Sequence, residues 1–91
     1  MSGSEKQLLE NALDALDRLF DGQSPVIDVW ALLFATAEAL RATKHCSAFE
    51  AVVPALLDLV RSSATAEEQR DRALWLTDEL RQYVAGLLPV G

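Results

Sequence analysis

Cysteine and histidine each occur once in 91 residues, proline three times and glycine four times. Each scarcity closes off a class of chemistry. The single cysteine, Cys46, has no partner for an internal disulfide, which suits a reducing compartment and points to the cytoplasm. His45 and Cys46 are neighbours and the only strong nitrogen and sulfur ligands in the chain. Zinc takes four such ligands, so a metal site within one copy is not expected. A Cys–His nucleophilic pair needs facing side chains and a third orienting group, which adjacent residues in a "TKHC" loop do not supply. A Gly-rich phosphate loop, H-E-x-x-H and G-x-S-x-G are all missing. The expectation is a protein that is not an enzyme, with no catalytic, cofactor-binding or metal-ligating residue.

Positive charge is also scarce, with 8 basic against 14 acidic side chains and a formal net charge of −6. A nucleic-acid surface needs the opposite sign, so direct DNA or RNA binding is not expected. Long hydrophobic runs are lacking too. The longest apolar-rich stretch, Val26 to Leu40, contains Asp28 and Glu38 and is too short to span a bilayer, so no membrane partner is expected. The opening "MSGSEKQ" is not followed by the apolar region of a signal peptide.

What remains is a chain that is 51% hydrophobic and 24% charged, enough for one globular domain over residues 1–91. Leu8, Leu9, Ala12, Leu13, Leu16, Leu19 and Phe20 recur at helical spacing. Ser4 caps that first helix and Asp21-Gly22 stops it, since glycine accepts a left-handed C′ position. Ser24 and Pro25 start a second helix reaching about Ala42, which should be the most buried element, with Trp30 in the core. Its remaining face is mostly alanine (Ala31, Ala35, Ala39, Ala42) and would admit close approach by another helix.

Ser47 and Glu50 match a capping box for a third helix carrying Phe49, Val52, Val53, Leu56, Leu57, Leu59 and Val60. Pro54 lies too deep for the first turn, so that helix is expected to kink or break there. Thr65 and Glu68 form a second capping box, and the last helix reaches Ala85 before Gly86 and Pro89. The predicted fold is all-α, a four-helix antiparallel bundle with short loops.

Two surface features stand out. Glu10, Asp14, Asp17 and Asp21 fall within about 60° on a wheel of about 100° per residue, beside the apolar face of the first helix. Like charges at these spacings cost roughly 0.2–0.5 kcal/mol per pair. Lys6 and Arg18 offset part of that from the edges. The stripe is either an ordinary solvated face or a surface complementary to a basic partner.

The second feature lies in "RDRALWLTDEL", where Leu74, Trp75 and Leu76 are consecutive and cannot share one face. Ala66, Ala73, Leu76, Leu80, Tyr83, Val84 and Leu87 gather on the core side, with Thr77 at its edge and Leu74 at a boundary. Trp75 falls opposite, among Glu68, Asp71, Asp78, Glu79 and Gln82. Either another helix or the tail "GLLPVG" covers it, or a partner does.

The stretch "LDRLFDGQSPVIDVW" resembles bacterial immunity proteins of contact-dependent growth inhibition systems and the colicin D type. In that pattern an acidic first helix ends in a "DG" or "EG" turn and a Ser-capped second helix follows; Asp21-Gly22 and Ser24-Pro25 are the matching positions. The resemblance implies an acidic surface, here Glu10, Asp14, Asp17 and Asp21, that masks the basic active site of a toxin nuclease. Trp75 and its acids are not part of that likeness, and Pro54 departs from it. Two functions are therefore weighed. One is an immunity protein that neutralises a basic toxin domain by occlusion. The other is a homodimeric helical adaptor paired through the alanine face and Trp75.

Overall fold

The computed structural model describes residues 3–88, with side chains from Glu5 onward. Among the described residues it is all-helical. Helix α1 spans Gly3–Phe20, α2 Val26–Ala39, α3 Cys46–Arg61 and α4 Ala66–Leu87. Consecutive helices pack on one another and α1 also packs on α4; α2 and α4 barely touch, so they stand diagonally across the bundle. The core is built from Leu9, Leu16 and Leu19 of α1, Val29 and Leu33 of α2, Phe49 and Leu56 of α3, and Ala73, Leu80 and Val84 of α4. These positions recur every three or four residues, which is what a helix with one buried stripe requires.

The stop after α1 forms as the glycine predicts. Gly22 has φ +74°, Gly22 N–H donates to the Leu19 carbonyl (3.1 Å) and Gln23 N–H to that of Arg18 (2.8 Å). This is a Schellman turn. Arg70 of α4 completes it by donating Nε to the Leu19 carbonyl (3.2 Å) and Nη2 to that of Phe20. The start of α4 also forms as expected, with Glu68 N–H donating to Thr65 Oγ1 at 3.1 Å. The Glu68 carboxylate accepts from the same hydroxyl rather than from the Thr65 backbone.

Other boundaries differ. Ser4 lies inside α1, and its side chain, like Pro89, is outside the described residues. Pro25, not Ser24, is the N-cap of α2; its extended backbone (ψ 157°) presents the carbonyl that accepts from Val29 N–H. Helix α2 ends at Ala39, because Thr43 turns the chain: its hydroxyl donates to the Leu40 carbonyl (2.8 Å) and accepts from His45 N–H (3.2 Å). Ser47 is not a cap, since α3 already begins at Cys46, and the Glu50 carboxylate accepts from the Cys46 thiol instead.

Helix α3 is continuous through Pro54, so the expected break does not occur. Pro54 removes the bond its nitrogen would donate to the Glu50 carbonyl. Both residues are exposed, so water can serve that carbonyl. Gly86 is likewise helical and does not terminate α4.

Helix α2 is not the most buried element. Ile27 and Phe34 are about half exposed (51% and 47%), with Ala31 and Ala35 exposed between them. Trp30 is half-buried rather than fully in the core; it packs against Phe34 with ring centroids 5.7 Å apart, and its indole N–H is buried without a hydrogen-bond partner. In α4, Ala66 and Tyr83 are exposed, against expectation. Thr77 is buried, its hydroxyl donating to the Ala73 carbonyl at 2.7 Å. Leu76 is half-buried like Leu74, so the two leucines flank the core face symmetrically.

Candidate partner-binding surface

That symmetry fixes the direction of Trp75. Ala73, Thr77, Leu80 and Val84 point inward, and a residue two before Thr77 lies about 200° away on a helix. Trp75 is accordingly 81% exposed, the most exposed large apolar side chain among the described residues. No neighbouring helix covers it, and the described part of the C-terminal tail does not either.

Its surroundings are acidic. Glu68, Asp71, Asp78 and Glu79 are all exposed and occupy the α4 positions seven and four before, and three and four after, the indole. None of the four makes an ion pair among the described residues. Glu68 and Asp78 have polar neighbours only, Thr65 and Gln82 respectively (3.1 and 2.9 Å). Four carboxylates against the one guanidinium of exposed Arg72, three positions before the indole, give this face a net negative charge and one large apolar anchor.

The stripe on α1 is different. Glu10 pairs with Lys6 (3.9 Å) and Asp14 with Arg18 (3.2 Å), both along the helix. Asp17 is engaged between helices: Arg81 of α4 donates both Nε and Nη2 to its Oδ1 at 2.9 Å. The same guanidinium lies 4.9 Å from the centroid of the Phe20 ring, which explains how that half-exposed ring is held. Asp21 is exposed beside the Schellman turn and makes no ion pair among the described residues. Three of the four α1 acids are thus partly neutralised. Asp17 and Asp78 line one shallow groove between α1 and α4, whereas Asp14 lines another towards α2. The two acidic groups therefore meet at the groove that Asp17, Asp78 and Arg81 share, while Asp14 faces away from it.

His45 lies in the loop as expected, whereas Cys46 already belongs to α3. Both are buried at the start of α3. His45 Nδ1 lies 2.7 Å from the Tyr83 hydroxyl and Nε2 lies 3.0 Å from a Glu5 oxygen, so one imidazole ties α1, the α2–α3 loop and α4 together. The pattern of the sequence gives no sign of this, because the three residues meet only through tertiary packing. The Cys46 thiol donates to Glu50 (3.1 Å). That hydrogen bond, reinforced by burial and the Glu50 charge, raises its pKa above the ordinary thiol value. A thiol held in its protonated form is a poor nucleophile. Among the described residues no group of three His, Cys, Asp or Glu side chains is placed to hold a metal ion. No described helix is long and apolar enough to cross a membrane.

No protein-family model, curated protein or solved structure matches this chain. The reading of its function therefore rests on the surface itself.

Proposed function

We propose that this protein is a cytoplasmic immunity protein. It binds a basic toxin domain, a nuclease being the leading candidate, and neutralises it by covering its active site. The observation that carries the reading is Trp75, bare and ringed by Glu68, Asp71, Asp78 and Glu79, none of which makes an ion pair among the described residues and which outnumber the exposed Arg72 beside them. Such a surface favours fast, salt-sensitive association with a basic partner, with an aromatic residue to anchor the complex. Because Asp17 already serves Arg81 and Glu10 and Asp14 have cations beside them, the reading moves the main contact from α1 to α4. It assigns no catalysis, cofactor, nucleic acid or membrane contact to the chain. It takes the short loops between packed neighbours as those of an antiparallel bundle, with α3 bent at Pro54.

The test is co-expression with the basic toxin encoded beside its gene. Protection of growth is expected with the wild type and with Asp14→Asn, and its loss with Asp71→Lys/Asp78→Lys/Glu79→Lys. Full protection by the triple variant would overturn the assignment of the α4 face.

A second reading, a homodimeric adaptor, has one observation in its favour: the outer face of α2 exposes Ile27 and Phe34 with alanines between them. Sedimentation equilibrium decides it. A dimer dissociated by Phe34→Glu supports this reading, and a monomer at about 100 µM removes it.

A further inference from the structure

Trp75 is not an isolated anchor. It forms one wall of a groove of about 540 Å³ between α3 and α4, lined also by Ala55 and Leu59 of α3 and Leu76 of α4. A second depression of about 590 Å³ adjoins it, running past Leu74 and Leu76 to Asp78 and Glu79. The volume is in the range of small-molecule and side-chain pockets, and the four lining residues named are all apolar.

The rim has the opposite character. Asp58 of α3 and Arg72 of α4 also line the groove, and Asp78 and Glu79 lie beyond Trp75 in the adjoining depression, giving three carboxylates against one guanidinium. Neither Asp58 nor Arg72 makes an ion pair among the described residues.

We propose that this groove is the receptor for a cationic amphipathic segment of the partner. One large apolar side chain would lie against Trp75, Leu76 and Leu59, and flanking lysine or arginine residues would meet Asp58, Asp78 and Glu79. Two features select that occupant. An apolar cleft rewards burial of an apolar side chain regardless of charge, at roughly 25 cal/mol per Å². The acidic rim then discriminates, because a neutral segment gains nothing from it and an acidic one is repelled. A second copy of this chain is disfavoured at the groove on the same ground, since it would bring two acidic rims together on molecules that each carry a net charge of −6.

The inference rests on the partner-binding reading above but not on the partner being a toxin. Its probe is a synthetic 15-residue peptide of lysine and leucine, with leucines at helical spacing on one face. The control has every leucine replaced by serine at unchanged charge. Both are titrated into the full-length protein, followed by the indole N–H resonance of Trp75 and the backbone amides of Ala55, Leu59 and Leu76. The expected result is saturable shifts centred on these four residues, and at least tenfold weaker binding of the serine peptide. Asp58→Lys, which alters the rim without touching Trp75, is expected to weaken the leucine peptide three- to tenfold.

Equal binding of the two peptides would reduce the surface to simple charge attraction and overturn the proposal. So would shifts centred on α1 or α2, or no shift at the groove at millimolar peptide. If the peptide seats as described and no toxin is neutralised, the immunity reading fails and the groove stands. Protection of growth that survives Asp58→Lys and Leu76→Ser, both shown folded by circular dichroism, sinks the groove alone.

Discussion

Replacing Trp75 by alanine separates a binding residue from a structural one, and the size of the effect follows from exposure. An aromatic side chain that is fully buried removes about 150–250 Å² from water. Trp75 is 81% exposed, so about a fifth of its surface is covered. Taking roughly 50 Å² at about 25 cal/mol per Å² gives a loss of about 1 kcal/mol. Alanine is the better helix former at a position inside α4, which returns up to about 0.5 kcal/mol. The net change in folding stability should therefore lie within about 1 kcal/mol of zero. Phe49, fully buried in α3, is the contrast: its truncation to alanine should cost about 3–5 kcal/mol. Urea unfolding followed by far-ultraviolet circular dichroism measures both. With a slope of about 1–3 kcal/mol per molar, Trp75→Ala should move the midpoint by less than about 1 M, with the slope unchanged. A loss above about 2 kcal/mol for Trp75→Ala would refute the reasoning, because it would mean that the indole is packed within the protein.

Further outcomes follow from the Arg81–Asp17 pair, from Gly22 and from Cys46. Arg81 and Asp17 are each nearly half exposed, so their ion pair should be worth less than about 1 kcal/mol in a double-mutant cycle. Arg81→Ala should exceed Asp17→Asn by up to about 1 kcal/mol, because it also removes the guanidinium from the Phe20 ring. Gly22→Ala should cost about 1 kcal/mol in thermal or urea unfolding, since a β-carbon at φ +74° is strained although no atom obstructs it. Cys46 should react slowly with thiol reagents at pH 8, and Glu50→Gln should lower the pH of half-maximal reactivity by removing the main cause of its raised pKa. The sign for stability follows. The folded state prefers the thiol, so this contribution is complete below the ordinary thiol pKa and is lost as pH rises through the folded one.

The apolar spacing made the four helices and most of the core legible, because a buried stripe imposes a period that survives without knowledge of neighbours. Gly22 and Thr65 were legible for a related reason: their roles are local, fixed by a left-handed turn and by a side chain reaching three residues ahead. Trp75 was legible as outward-facing because Ala73, Thr77, Leu80 and Val84 define the opposite side of the same helix.

Non-local partners were not legible. Asp17 reads as one of four like charges on α1, yet its cation comes from Arg81, far along the chain. His45 reads as a loop residue, yet its ring is held between Glu5 and Tyr83. The most apolar helix, α2, reads as the most buried, but a helix at the corner of a four-helix bundle has two neighbours and must leave one side open, here Ile27, Ala31, Phe34 and Ala35. Composition sets how much apolar surface a helix has; the number of neighbours sets how much of it is covered.

The central claim is that the acidic, tryptophan-bearing face of α4 is where a basic partner binds. The direct test is calorimetric titration of a basic partner, sought among the products of adjoining genes, into the wild type and into Asp71→Lys/Asp78→Lys/Glu79→Lys. Tight, salt-sensitive binding is expected for the wild type, weakened at least a hundredfold in the triple variant and changed little by Asp14→Lys. Equal affinity for the wild type and the triple variant would contradict the claim.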